Sequence, residues 1–289
     1  MIICIIGPTG VGKTKMSIEL AKKYDAIIIN CDATQVYKEL DIGSAKATKK
    51  EQENIPHYLL DFKDISKNYT VYDYQKDARE IIEKNKDKNI IFVGGTGLYL
   101  KAALYDYRFN KEDNNISYDN LSNEELYKLA LNKDPNTVIH PNNRQRLIRF
   151  LNKKDVELVE PKPLYKHLII GLTTSRDNLY QIINNRVDKM LEKGLLEEVE
   201  SFYKKNIHTK PLQSAIGYKE LYRYFNKEIS LEEAIELIKK NSRHYAKRQY
   251  TFFNNQLDVN WFNVDYNNFD NTIKDVEIFI EENYDDKSK

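Results

Sequence analysis

The residues with the plainest chemistry are Gly7-Pro8-Thr9-Gly10-Val11-Gly12-Lys13-Thr14, a complete G-x-x-x-x-G-K-[ST] octapeptide. It follows an unbroken apolar run and opens a helical pattern, the context such a loop requires. Its glycines permit a tight turn that aims successive backbone N–H groups into one concavity, and the helix N-terminus adds positive potential there. In such a loop Lys13 reaches the terminal phosphates and the Thr14 hydroxyl serves Mg²⁺. The chemistry is polyphosphate binding. The loop alone names neither the polyphosphate nor its fate.

A phosphoryl-transfer enzyme of this type places an acid after a second buried strand to hold Mg²⁺. Here the apolar run at 90–93 leads into Gly94-Gly95-Thr96-Gly97, which has no acid, whereas the run at 26–29 leads through Asn30-Cys31 to Asp32. At the carboxyl end of a parallel strand, Asp32 sits on the rim where ligands bind. Three roles stay open for it on these grounds: metal ligand, general base on an acceptor, or helix N-cap. Thr96 reads most simply as a cap in a glycine-rich turn.

These residues need a scaffold, and the pattern of the chain supplies one. Short apolar runs at 2–6, 26–29, 90–93, 168–171 and 259–264 suit strands covered on both faces. Helical periodicity over 12–24, 71–83, 176–193, 195–205 and 231–250 places helices between and after them. The expected fold is α/β, a P-loop nucleotide-kinase-like parallel sheet flanked by helices. The alternation breaks between about Tyr107 and Pro163, where Leu126, Leu129 and Ala130 form a weak apolar stripe. That stretch is too long for a loop in a compact domain. Residues 1–106 and 164–289 are therefore read as the core and 107–163 as an inserted helical subdomain. The terminal Asp285-Asp286-Lys287-Ser288-Lys289 is expected to fray.

The 289 residues are 41% hydrophobic and 31% charged, which excludes a disordered or fibrous chain. Two cysteines, Cys4 and Cys31, cannot build a disulfide framework or a four-ligand zinc site, and both lie in apolar surroundings that suit buried hydrophobes. No apolar stretch approaches a membrane span, and the first residues already read as a core strand rather than a signal peptide. A cytoplasmic location without a membrane partner is expected.

Further blocks then carry a resemblance. After the phosphate loop come Asp32-Ala33-Thr34-Gln35-Val36-Tyr37, Asp41-Ile42-Gly43-Ser44-Ala45-Lys46, Pro56-His57-Tyr58-Leu59-Leu60-Asp61 and Val93-Gly94-Gly95-Thr96-Gly97-Leu98-Tyr99. His140-Pro141-Asn142-Asn143-Arg144-Gln145-Arg146, Ala215-Ile216-Gly217-Tyr218 and Arg243-His244-Tyr245-Ala246-Lys247-Arg248-Gln249 complete the series. In order and spread from Gly7 to Gln249, they make the chain resemble the tRNA dimethylallyltransferase (tRNA isopentenyltransferase) family, in its bacterial type without a zinc module.

The resemblance implies transfer of a dimethylallyl group from dimethylallyl diphosphate to N6 of adenosine 37, beside the tRNA anticodon. It implies a phosphate loop that grips diphosphate rather than ATP, which accounts for the missing acid after residue 93. Asp32 then corresponds to the family's general base. Lys13, Mg²⁺ near Thr14, and Thr96 correspond to the groups that stabilise the leaving diphosphate. The loop residues Gly7, Pro8, Thr9, Gly10, Val11, Gly12, Lys13 and Thr14 form its cradle. One departure stands out: many members carry Arg or Gln immediately before Ala215, where this chain has Ser214, with Gln213 one residue earlier. Arg243 and Arg248 are the expected substitutes. Ala33 replaces a customary serine and keeps the neighbouring acid.

On the nucleic-acid side the target base must be splayed from its stacked loop. Asp32, Ala33, Thr34 and Gln35 correspond to family residues around that nucleotide. Gln145, Arg146, Leu147, Ile148 and Arg149 correspond to its tRNA-contact segment for the anticodon stem-loop. By themselves Arg146 and Arg149, at i and i+3, would read as a solvated helix face. The net charge of +1 conceals segregation: residues 201–250 carry 11 basic against 5 acidic side chains, 141–167 carry 7 against 3, and 251–289 carry 3 against 9. Local positive potential is what phosphate contacts reward, so near-neutrality does not exclude a nucleic acid. A monomer is expected. A small-molecule or nucleotide kinase, a prenyltransferase acting on free AMP or ADP, and a nucleotide-dependent switch are the competing readings. The insert argues against the first two, and Asp32 and Thr96 beside the loop against the third.

Overall fold

In the computed structural model, described here for residues 1–109, 116–152 and 161–284, six strands form one parallel sheet. They are β1 (Ile2–Ile6), β2 (Ala26–Asn30), β3 (His57–Tyr58), β4 (Asn89–Gly94), β5 (Leu168–Thr173) and β6 (Asn260–Asn263), in spatial order β3-β2-β4-β1-β5-β6. β1 lies centrally, with Ile5 in register with Val93 of β4 and Ile170 of β5. Because successive side chains point to opposite faces, the sheet feeds two cores. Ile2, Cys4 and Ile6 pack with Ile27, Ile29 and Phe92 on one face, and Ile3 and Ile5 with Ile28, Ile91 and Ile170 on the other. This double burial is why β1, β2, β4 and β5 read as nearly unbroken apolar runs, whereas the edge strands β3 and β6 are only partly buried.

The helices are α1 (Lys13–Tyr24), α2 (Val71–Lys84), α3 (Gly97–Leu104), α4 (Asn123–Lys133), α5 (Arg144–Asn152), α6 (Arg176–Glu192), α7 (Leu195–Lys204), α8 (Lys210–Ser214), α9 (Tyr218–Phe225), α10 (Leu231–Gln256) and α11 (Phe269–Tyr284). Thr70, Ser122 and Ser230 close capping boxes at α2, α4 and α10, and this local chemistry sets where those helices begin. α1 differs: Gly12 precedes it with φ 87° and no side chain caps it. Its first N–H groups are therefore not consumed by a side-chain cap.

The chain divides into two compact units, Met1–Tyr105 with Pro163–Lys289, and Asp106–Lys162. The second has its own small core of Leu126, Ala130, Ile139 and Leu147. Arg144 ties α5 to the preceding loop by donating to the Tyr118 and Leu121 carbonyls, and Asp106 N–H donates to Lys162 O at 2.8 Å where the unit begins and ends. Within it Leu126 and Ala130 are buried as their spacing suggests, but Leu129 is 38% exposed. The segment 285–289, expected to fray, lies outside the described residues. Among the described residues no helix is long and apolar enough to cross a membrane.

Candidate active site

β2, β4 and β1 are neighbours in the sheet, so the three turns leaving their carboxyl ends converge. They carry Asp32, Gly94-Gly95-Thr96 and the phosphate loop, and a cavity of ≈ 540 Å³ opens there. Thr9, Gly10, Gly12, Lys13 and Thr14 line it from the loop, Asp32, Thr34 and Gln35 from the β2 turn, and Arg186 from α6. Tyr245, Arg248 and Gln249 of α10 join them, and Ile183, Val187, Met190, Ile216 and Ile238 supply an apolar wall. Pro8, Val11 and Gly7 support the loop from behind rather than line the cavity; Val11 is wholly buried.

The loop's shape is enforced by close packing. A Cβ on Gly7 would lie 2.5 Å from the Leu172 carbonyl oxygen, and one on Gly12 would lie 2.5 Å from the Phe269 ring. Both glycines also hold positive φ, 143° and 87°, where a side chain is strained. Lys13 Nζ donates to the Pro8 carbonyl at 2.7 Å. Burial, reinforced by the Arg186 guanidinium, pulls the Lys13 ammonium down to about 7, with Asp32 pulling the other way. Burial likewise lowers Arg186, against the pull of Asp32. Two cations and one carboxylate thus share a partly desolvated space, a poor arrangement for a protein alone and a good one for a polyanion.

Arg186 was not anticipated from the sequence. Its Nε is buried and has no hydrogen-bond partner among the described residues, so it is a desolvated donor with nothing to satisfy it. The available signal was its position on α6 between Ile183 and Val187, both buried, which places an arginine on the inward face of a helix. It lines the cavity where Arg243 and Arg248 were expected to supply the cations. Arg243 does not line the cavity: it donates to Asn184 Oδ1 at 2.6 Å and lies over the Tyr180 ring. Arg248 does line it, with its guanidinium over Tyr245 at 5.6 Å, but is largely exposed. Ser214 stands in the cavity wall and donates to Lys210 O, while Gln213 is exposed.

Asp32 is held by its own turn. Its Oδ1 accepts from Thr34 N–H at 2.9 Å and Gln35 N–H at 3.3 Å, leaving Oδ2 without a protein partner among the described residues. The N-cap reading fails because a turn, not a helix, follows Asp32. Thr96 lies behind Asp32 and does not line the cavity: its hydroxyl accepts from Ala33 N–H at 3.0 Å and is bonded to Tyr245. Burial, and next Asp32, push the Tyr245 phenol well above its ordinary value, so it stays protonated. Gln249 Nε2 donates to Gly95 O at 2.9 Å, and its Oε1 is buried without a partner.

Gln35 spends its amide donors on Ser44 O (3.0 Å) and Ala45 O (3.3 Å), so only its carbonyl is left to read a base. In the smaller unit Gln145, Arg146 and Arg149 are exposed on α5. Leu147 is fully buried in that unit's core and Ile148 packs against it, which removes Leu147 as a surface contact. Among the described residues no group of three or more His, Cys, Asp or Glu could hold a metal ion. The exposed Thr14 hydroxyl in the loop nevertheless suits a hard cation that brings its remaining oxygens from a bound phosphate and water.

The IPP transferase family model matches residues 35–256. The chain is 44% identical to the tRNA dimethylallyltransferase of Anoxybacillus flavithermus, covering 97% of this chain and 96% of that one. It is also 44% identical to the Bacillus anthracis protein of the same name, covering 90% of each. Among solved structures it is similar to a tRNA isopentenylpyrophosphate transferase of Bacillus halodurans, with TM-score 0.79, 38% identity, and 99% of this chain and 97% of that one covered. A eukaryotic dimethylallyltransferase solved acting on tRNA aligns with TM-score 0.80 and 28% identity, over 98% of this chain and 79% of that one.

Proposed function

The chain belongs to the IPP transferase family, and from that premise we propose that it transfers a dimethylallyl group from dimethylallyl diphosphate to N6 of adenosine 37 in tRNA, releasing diphosphate. One observation carries the reading: a carboxylate with a free oxygen, Asp32, shares a single cavity with a phosphate loop, its lysine and a second, partly buried cation, Arg186, whose Nε is unsatisfied. A kinase needs an acid-held metal at its phosphates; a prenyl transfer needs a base on one side and an anion sink on the other.

The diphosphate rests on the loop N–H groups, with Lys13 and Arg186 over its oxygens. Thr14 would hold Mg²⁺ together with the diphosphate oxygens, and the ion's chemistry there is to neutralise phosphate charge. The five-carbon group takes the apolar wall of Ile183, Val187 and Met190. The adenine N6 lone pair forms a bond to the allylic C1 as the C1–O bond breaks, and the diphosphate departs with that electron pair. The N6 proton passes to Asp32 Oδ2. An exocyclic amine delocalised into its ring is a weak nucleophile, and removing its proton as charge develops lowers the barrier. Lys13 and Arg186 stabilise the charge growing on the bridging oxygen in a space where charge is poorly screened. Thr96 is a positioning residue here, because its hydroxyl anchors the Asp32–Ala33 turn.

The smaller unit, Asp106–Lys162, engages the anticodon stem-loop through Gln145, Arg146 and Arg149. Arginines exposed along one helix suit backbone phosphates. Incubation with dimethylallyl diphosphate, Mg²⁺ and unmodified tRNA tests the reading, with the modified adenosine read by mass. Nucleoside triphosphate consumption without transfer, or transfer to AMP but not to tRNA, overturns it.

A further inference from the structure

Glu198, on α7, makes an arrangement that the transfer chemistry leaves unused. Its Oε2 accepts from Asp41 N–H (3.2 Å) and Ile42 N–H (2.8 Å), and its Oε1 from Gly43 N–H (3.1 Å) and the Tyr218 hydroxyl (2.5 Å). Three consecutive backbone N–H groups turned on one carboxylate form an anion-binding nest, and each bond is strengthened by the charge. Tyr218 closes the arrangement sterically as well. A Cβ on Gly43 would lie 2.5 Å from its ring, so the loop approaches the tyrosine as closely as glycine allows.

The loop so held does not end at Gly43. Ser44 O and Ala45 O accept from the Gln35 amide, and Gln35 N–H donates to Asp32 Oδ1. On its other side Lys46, with 5% of its side chain exposed, pairs with Asp41 (2.6 Å) and Asp61 (2.7 Å) and donates to Tyr37 O. A continuous hydrogen-bonded path therefore runs from Tyr218 through Glu198 and residues 41–45 to Gln35 and the base. Gly43, Ser44 and Ala45 line the same cavity as Asp32. The phosphate loop shares none of these bonds.

We propose that Glu198 is a positioning residue for the acceptor: it sets the wall formed by residues 43–45, and through Gln35 the Asp32 turn, against which the target adenosine is placed. This rests on the transfer reading above. A neutral amide at this position cannot replace the carboxylate, since its NH₂ faces donors that need an acceptor. Displacing a reacting group by an ångström costs up to about 100-fold in rate.

The test compares Glu198→Gln and Gly43→Ala with the unaltered protein. The second variant pushes the loop off Tyr218 while leaving the Glu198 carboxylate itself in place. Amide hydrogen exchange over residues 35–45 is expected to accelerate in both, a readout that needs no catalysis. With saturating tRNA the transfer rate is expected to fall about 10- to 100-fold, while the affinity for dimethylallyl diphosphate stays within about twofold. Combining Glu198→Gln with Gln35→Ala should cost no more than the larger single change, because both act along one path. Unchanged exchange, a loss shared equally by diphosphate affinity, or full multiplication of the two effects overturns the proposal. Failure of the unaltered protein to modify tRNA falls on the transfer reading, and the exchange data still decide whether Glu198 holds the loop.

Discussion

Lys13 should act as a proton acceptor when the diphosphate binds. In the free protein burial and Arg186 hold its ammonium at about 7. A polyanion at Nζ favours the charged form and raises that value well above the assay range. With a free-state value of 7, the proton taken up at this lysine is about 0.9 per site at pH 8, about 0.5 at pH 7 and about 0.1 at pH 6. The same linkage weakens binding about tenfold at pH 8 relative to pH 6, or ~1.4 kcal/mol, before the ligand's own titration is counted. Calorimetric titration with a non-reacting thiolodiphosphate analogue, in buffers of different ionisation enthalpy at fixed Mg²⁺, measures the uptake. Lys13→Arg is the reference: its guanidinium does not titrate, so the ligand's own protons are common to both proteins and cancel. The expected difference between the proteins is near one proton at pH 8 and near zero at pH 6. Equal uptake at pH 8 would refute the reasoning, because Lys13 would then be fully charged before the ligand arrives.

Single substitutions elsewhere in the cavity and on α10 and α5 have distinct expected effects. Asp32→Ala should slow transfer by about 10²- to 10⁴-fold with tRNA affinity largely intact; a loss mainly of tRNA affinity would make Asp32 a reader of the base rather than its deprotonating group. Arg186→Met should weaken dimethylallyl diphosphate binding at least about tenfold, the scale of losing one charged hydrogen-bond partner. Arg243→Met, outside the cavity, should leave that affinity nearly unchanged, and the reverse order would return the anion site to α10. Arg146→Ala or Arg149→Ala should weaken tRNA binding and lower its salt slope by roughly one unit each, leaving diphosphate affinity alone; an unaltered slope means that the arginine meets no phosphate.

Much of the scaffold was legible because its signals are local. Doubly buried strands read as apolar runs, as β1, β2, β4 and β5 do; β6 lies on the fifth expected stretch, 259–264, but is only half-buried to exposed and not covered on both faces. β3 was not legible: it is two half-buried residues, His57 and Tyr58, too short to show any period. α3, α8, α9 and α11 were also missed. α3 is buried along nearly its whole length and so lacks an amphipathic stripe, while α8 and α9 span less than three turns each. α10 runs on to Gln256, beyond the expected 250, because Gln249 and Phe253 remain buried and carry the inward face further.

The site divides in the same way. By itself the sequence determined the phosphate loop, the acid after β2 and the strands that carry them, while the order of those strands in the sheet came from the tertiary structure. In each case the chemistry and its backbone setting occupy a few consecutive residues. Only the tertiary structure decided which distant groups join them. Packing of α6 against α10 and α7 turned Arg186 inward and left its Nε unsatisfied, and burial, reinforced by Arg186, depressed Lys13, while Arg243, in a block that matched the family, was drawn away to Asn184. Glu198 and Gly43 likewise show nothing of their pairing in sequence. Whether a charge helps an anion depends on its distance and its loss of water, and both are properties of packing rather than of composition.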